Sequence, residues 1–162
     1  MLDHTARLLV QSTWAQVAPS AAAVAALFYA RLFELDPSLR PMFSHADMAE
    51  QGRKLTTMLT VAVNALDRLE ALIPAVEALG RRHAGYGVRD EHYDTVGRAL
   101  LDTLAAGLGA AFTAEARCAW SDVYATVAGV MQRATREQEA ALRDSATLRP
   151  SSARRRVSAA VA

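Results

Sequence analysis

Apolar residues recur every three or four positions from Leu9 to Ala134, and turn pairs such as Asn-Gly, which would join strands, are absent. Side chains repeating at that interval share one stripe of an α-helix, so the pattern restricts the chain to an all-α fold in which each helix buries one face. The punctuation between stripes predicts six or seven helices.

The first helix is predicted over residues 3–17, with Leu9, Val10, Thr13, Trp14 and Val17 on one side and Pro19 behind it. Ser20 is placed to cap a second helix running to Leu35, because its hydroxyl can accept from a first-turn amide. Asp36-Pro37 opens a short third helix that ends in a corner at Arg40-Pro-Met-Phe43. Asp47 and Glu50 have capping-box spacing and begin a helix to about Ala65 that carries Gln51, Lys54, Leu55, Met58 and Ala62 along one side. Asp67 and Glu70 repeat that signal, but Pro74 predicts a break, with a helix restarting at Pro74 and reaching His83. Asp90 is expected to cap a long helix with Tyr93, Val96, Leu100, Leu104 and Leu108 on one face, closed by Gly107 and Gly109. Thr113 opens the last helix, which buries Ala116, Trp120, Val123, Tyr124, Val127, Met131 and Ala134. The order is expected to dissolve after Leu142, so residues 1–142 form one domain and residues 143–162 a disordered basic tail.

His83 closes the stripe Leu69, Leu72/Ile73, Val76, Leu79 and precedes the stop Gly85-Tyr-Gly87. An imidazole on an apolar floor suits a flat apolar cofactor with a metal centre, although a lone histidine on such a face is more often a core residue hydrogen-bonded to backbone. Tyr29, Phe43, Gln51 and Leu55 are the residue types that a ligand pocket facing such an imidazole requires. His4, His45 and His92 are expected at the surface or in loops.

Length and charge narrow the functions. A chain of 162 residues that is 52% hydrophobic makes one well-buried domain. From Leu142 onward five arginines stand against one aspartate, a charge of +4, which leaves residues 1–141 at −3 and makes the globular part a poor nucleic-acid binder. The polar start Asp3, His4, Arg7 and Gln11 is unlike a signal peptide, and the apolar run Ala21 to Ala30 is too short for a transmembrane segment. A single Cys118 excludes an internal disulfide and points to the cytoplasm.

The chain resembles the single-domain bacterial haemoglobins, globins related to flavohaemoglobin haem domains and to neuroglobin, and is especially similar to Hell's Gate-type globins. The resemblance rests on Leu27-Phe-Tyr-Ala-Arg-Leu-Phe33, Asp36-Pro-X-X-X-Pro-X-Phe43, Gln51-X-Arg-Lys-Leu55, Leu79-Gly-Arg-Arg-His-X-X-Tyr-Gly-Val88, His92-Tyr-X-X-Val-Gly97 and Ala119-Trp120, and spans about residues 5–135. It implies a globin fold around one haem b, with His83 as the metal ligand and Phe43, Lys54, Leu55, Leu79, Val88, Tyr93 and Val96 at the cofactor. Tyr29 and Gln51 match the family's polar distal pair, with Leu55 limiting the space beside them; Arg53 shares with Lys54 the chance of reaching a propionate. The implied function is reversible binding of oxygen and other diatomic gases at ferrous iron, by a monomer or weak dimer.

One departure matters. Tyr93 matches a tyrosine that, in nitric-oxide-consuming relatives, shares a hydrogen-bond network with the proximal histidine and a glutamate of the last helix. The glutamate's position falls here on Thr135, with Glu139 a turn further on. That difference, and the absence of a flavin or nicotinamide domain from the chain, sets nitric oxide dioxygenation with a separate flavin reductase second to oxygen binding. A gas or redox sensor comes third, since no transmitter domain follows the globin part.

Overall fold

A computed structural model describes residues 2–148, and these are organised as six α-helices, with 3-10 turns in all the connections except that between α4 and α5. They are α1 (His4–Val17), α2 (Ala21–Leu35), α3 (Met48–Asn64), α4 (Leu69–Gly85), α5 (Asp90–Leu108) and α6 (Ala114–Thr147). The turns Ala18–Ser20, Pro37–Phe43, Leu66–Arg68 and Gly109–Ala111 lie between them. No strand occurs among the described residues.

Local chemistry accounts for most of the boundaries. Asp3 accepts from the Ala6 amide, Asp47 from those of Ala49 and Glu50, and Thr113 from that of Ala116, so each satisfies first-turn donors of its helix. Asp36 caps the Pro37–Phe43 turn through the Ser38 amide, and Pro37 stands where its missing N–H has no helical partner to lose. Gly109, at φ 55°, ends α5 in the left-handed region that side-chain-bearing residues avoid.

Several boundaries differ from expectation. Ser20 flanks α2 without a side-chain cap, because the chain enters through the 3-10 turn and not in an extended conformation. Arg89, not Asp90, is the N-cap of α5, and His92 is buried there, its Nδ1 accepting from the Arg89 amide at 3.0 Å. An imidazole thus replaces the carboxylate that the sequence offered. The helix expected to restart at Pro74 begins at Leu69 and runs through the proline, which lies on its solvent face. A proline there removes one helical hydrogen bond and opposes helical geometry, yet an unbroken helix is what lets Ile73 and Val76 face α6. Gly107 falls inside the last turn of α5, leaving Gly109 alone to close it.

The last helix also runs past the expected end at Leu142, through Thr147. Alanine, leucine, arginine and glutamate favour helix, and the Glu139–Arg143 pair at 3.4 Å has the spacing that supports it, although both are exposed. Residues 143–147 are therefore helical, Leu148 follows as the C-cap, and residues 149–162 of the expected tail lie outside the described residues.

The core is centred on α1, α2, α5 and α6, with Val10, Trp14, Phe28, Leu32, Leu100, Leu104 and Trp120 within it. Trp14 and Trp120 meet edge-on at 6.1 Å. The Trp120 indole donates to the Thr13 hydroxyl at 2.9 Å and the Trp14 indole to that of Thr60 at 3.1 Å, so α1 is bonded through side chains to both α6 and α3. Each bond is worth about 1 kcal/mol net, and losing one partner would strand a buried donor. By length and composition His4–Leu35 is apolar enough to cross a membrane, a wider stretch than Ala21 to Ala30. Here it is broken into two helices whose inward residues build the core.

Candidate functional site

Two clusters flank the α3–α4 connection. Helix α3 packs on α2 and α1, whereas α4 packs on α6; neither helix packs along the other. The first cluster is aromatic. Tyr29 and Phe33 on α2 lie one turn apart, and both meet Phe43 from the following 3-10 turn at centroid distances of 5.5 Å. Phe28 closes on Tyr29 at 5.1 Å. Offset and edge-on geometries of this kind add roughly 0.5–1.5 kcal/mol per pair beyond burial.

Gln51 joins this cluster through its backbone. The Tyr29 hydroxyl donates to the Gln51 carbonyl at 3.5 Å, the outer limit of a hydrogen bond, and not to its side-chain amide. Burial pushes the Tyr29 phenol up from its ordinary pKa, so the hydroxyl keeps its proton and remains a donor. Gly52 follows, and a Cβ there would stand 2.9 Å from that of Ala25, which shows how closely α3 approaches α2. Leu55 lies one turn beyond Gln51, half-buried against the main core, and Val96 of α5 packs on the same core. Lys54 and Arg53 are exposed; Arg53 is paired with Glu50 at 2.6 Å, and Lys54 has no ion pair among the described residues.

The second cluster is built on α4, α5 and α6. Tyr93, Ala128 and Met131 form its buried centre, with Val76, Leu79, Val88, Tyr124 and Val127 packed around them. His83 is partly buried on α4, and its Nδ1 lies 2.9 Å from the Leu79 carbonyl. A carbonyl can only accept, so in the neutral ring Nδ1 carries the proton and the lone pair lies on Nε2. Burial lowers the pKa of His83 against the weaker opposing effect of that hydrogen bond, which keeps the ring neutral. The bond to backbone is the one expected of a core histidine, and it leaves Nε2 as the ring nitrogen with a free lone pair.

Tyr93 has no hydrogen bond to His83 among the described residues. Its carbonyl accepts from the Tyr124 hydroxyl, whose ring lies against Gly97 so closely that a Cβ there would come within 2.6 Å. Thr135 is committed elsewhere, its hydroxyl 3.1 Å from both the Gly80 and Met131 carbonyls. Glu139 is exposed and faces Arg143. No carboxylate therefore reaches the His83 ring among the described hydrogen bonds.

Residues 26–131 match the family model described as Globin, more than half of the chain. The chain belongs to the globin family. This globin is 31% identical to the neuroglobin of Tetraodon nigroviridis over 138 residues, covering 77% of this chain and 87% of the relative. It is 30% identical to the neuroglobin of Dissostichus mawsoni over 145 residues, 82% of this chain and 91% of the relative. The neuroglobin of Danio rerio is likewise 30% identical, over 77% of this chain and 87% of its own. Membership implies that the chain binds haem and works with oxygen-related ligands. The chemistry of the donor fits that group: His83, partly buried on α4, offers an oriented imidazole nitrogen.

Four residues of this region have roles that their sequence context did not indicate. Gly80 admits the backbone of α6, since a Cβ on it would lie 2.5 Å from the Met131 carbonyl oxygen. Tyr124 was seen as core, without its bond to the Tyr93 carbonyl. His92 is structural, and Tyr86 stands exposed beside His83 at 6.5 Å between ring centroids. A glycine flanked by long side chains in the middle of a helix was the available signal for Gly80; nothing local announced the other three.

Proposed function

We propose that this globin holds haem b through His83 Nε2 and binds oxygen and other diatomic gases reversibly, with Tyr29 and Gln51 on the ligand side. The observation that supports this most strongly is the His83–Leu79 hydrogen bond, which commits Nδ1 to backbone and presents Nε2 as a lone pair. When bound, a ferrous haem supplies the coordination position for the gas. The chain's own part is to orient His83, exclude water with Phe43, Leu55, Leu79, Val88, Tyr93 and Val96, and present hydrogen-bond donors. Tyr29 is held by Phe43 and Phe33 with its hydroxyl in a bond at the distance limit, so the donor can turn to a stronger acceptor at little cost. The Gln51 amide is a second donor on the adjacent α3 face. Lys54, exposed and without an ion pair among the described residues, suits a haem propionate better than Arg53, which faces Glu50.

Turnover as a nitric oxide dioxygenase is the weaker reading. It is disfavoured by the engagement of Thr135 with backbone, which leaves His83 without an anionic partner to raise its basicity. A separate flavin reductase would serve either reading. The cytoplasm fits the exposed, unpaired Cys118. The test is spectroscopic: ferric, reduced, oxygenated and carbonmonoxy spectra of the wild type, with the iron–histidine stretch of the reduced form compared between wild type and His83→Ala. Loss of that stretch together with haem is the expected result. Full haem content and an unchanged stretch in the variant would remove His83 from the role.

A further inference from the structure

We propose that the cleft between α4 and α6 is a second binding site, for a small uncharged apolar molecule of roughly benzene size, and that its occupation shifts the helix carrying His83. The second clause rests on the proposed role of His83; the first does not. The cleft has a volume of about 170 Å³ and is walled by Leu69, Ile73 and Val76 of α4 and by Val127 and Val130 of α6. Its only polar lining comes from Glu70, which is exposed, and Thr126, whose hydroxyl already donates to the Asp122 carbonyl at 2.8 Å. A polar or anionic guest would find no donor there and a carboxylate at the rim. An enclosed apolar cavity of about 150 Å³ takes benzene or xenon; this cleft is open to solvent on one side, so its size and apolar walls select a guest of that class that keeps one face in water.

The placement gives the site leverage. Downstream of the cleft, α4 is fixed to α6 at Gly80, where the Met131 backbone leaves no room for a Cβ and the Thr135 hydroxyl bonds the Gly80 carbonyl. Upstream, beside the cleft, Pro74 deprives α4 of one helical hydrogen bond. The helix is thus loosened over the cleft and held just before His83. A guest wedged at Ile73 and Val127 pivots α4 about Gly80, and His83 lies one turn beyond the pivot.

The experiment titrates the haem-loaded protein with benzene, and with benzoate as a charged control, while following the methyl resonances of Leu69, Ile73, Val127 and Val130. Saturable shifts confined to these methyls with benzene alone are expected, with a rise in Tm of about 3–6 °C at tenfold excess over Kd. Val127→Phe fills the cleft and should abolish both effects. If that variant does not fold, Ile73→Ala enlarges the space and should tighten toluene severalfold. Absence of saturable shifts in the wild type, their persistence in Val127→Phe, or no tightening in Ile73→Ala would overturn the site. The coupling is read from the iron–histidine stretch, expected to move with benzene in the wild type; methyl shifts with an unmoved stretch would overturn that part. Should the protein take up no haem, the functional reading fails, and the methyl titration still decides the cleft.

Discussion

The two sides of the proposed pocket are held by different means. On the Tyr29 side, rings rest on rings: Tyr29, Phe33 and Phe43 fix one another by contact between side chains from α2 and the following turn. On the His83 side, the contacts end on main chain: Gly80 lies against the Met131 backbone, the Thr135 hydroxyl bonds the Gly80 carbonyl and the His83 ring bonds the Leu79 carbonyl. A position held by side chains can be altered one residue at a time, since neighbours change rotamer. A position held by main chain moves only when a helix moves. On the proposed reading, gas affinity is tunable residue by residue on the first side, and on the second the metal's placement changes only with a whole helix.

The largest expected effect tests whether the second side carries the metal at all. His83→Ala should leave the protein mostly free of haem, measured as the Soret-to-protein absorbance ratio after purification, because the oriented nitrogen is gone. A ratio equal to wild type would end the comparison.

Gly80→Ala asks whether the backbone contact is rigid. Overpacking of this kind costs about 1–3 kcal/mol, enough to outweigh the roughly 1 kcal/mol that alanine gains in a helix, because the atom in the way is a carbonyl oxygen and not a pliable side chain. Gly129→Ala on α6 is the control. Nothing lies within 4 Å of the Cβ it would add, so denaturant unfolding should show a small gain there. Equal behaviour of the two variants would mean that α4 yields easily.

Tyr29→Phe removes a hydroxyl and keeps the ring. Oxygen dissociation followed by stopped flow should quicken about tenfold, while stability changes by less than about 1 kcal/mol. A large loss of stability with an unchanged rate would reverse the assignment, making the first side structural.

Thr135→Val should have the smallest effect, about 1 kcal/mol of stability for the lost bond to the Gly80 carbonyl, with oxygen dissociation unchanged. A changed dissociation rate would show that the two sides communicate.

The fold was largely legible because helix periodicity and capping are local. Asp3, Asp47 and Thr113 cap as their sequence context implies. The failures at Ser20, Pro74 and the end of α6 have non-local causes: the incoming 3-10 turn, the need of α4 to face α6, and a surface helix continued by propensity without burial. For the site, residue types and order were readable, and these carried the family resemblance. The partners were not. That Tyr29 faces a carbonyl of Gln51, that Thr135 turns to Gly80 and that His92 caps a helix all depend on how helices distant in sequence approach one another.

The indole of Trp120 reaching back to Thr13 sets a timetable for synthesis. As the chain emerges from the ribosome, α1 comes out first, and its two tryptophan contacts wait for Thr60 and then for Trp120. Until α6 has cleared the exit tunnel, the apolar face of α1 has no final partner, and the nascent chain carries it exposed or loosely covered. The face of α1 is therefore expected to stay open to chaperones and proteases until α6 emerges, and slowing the ribosome over the codons for α6 should reduce yield more than slowing it over those for α3.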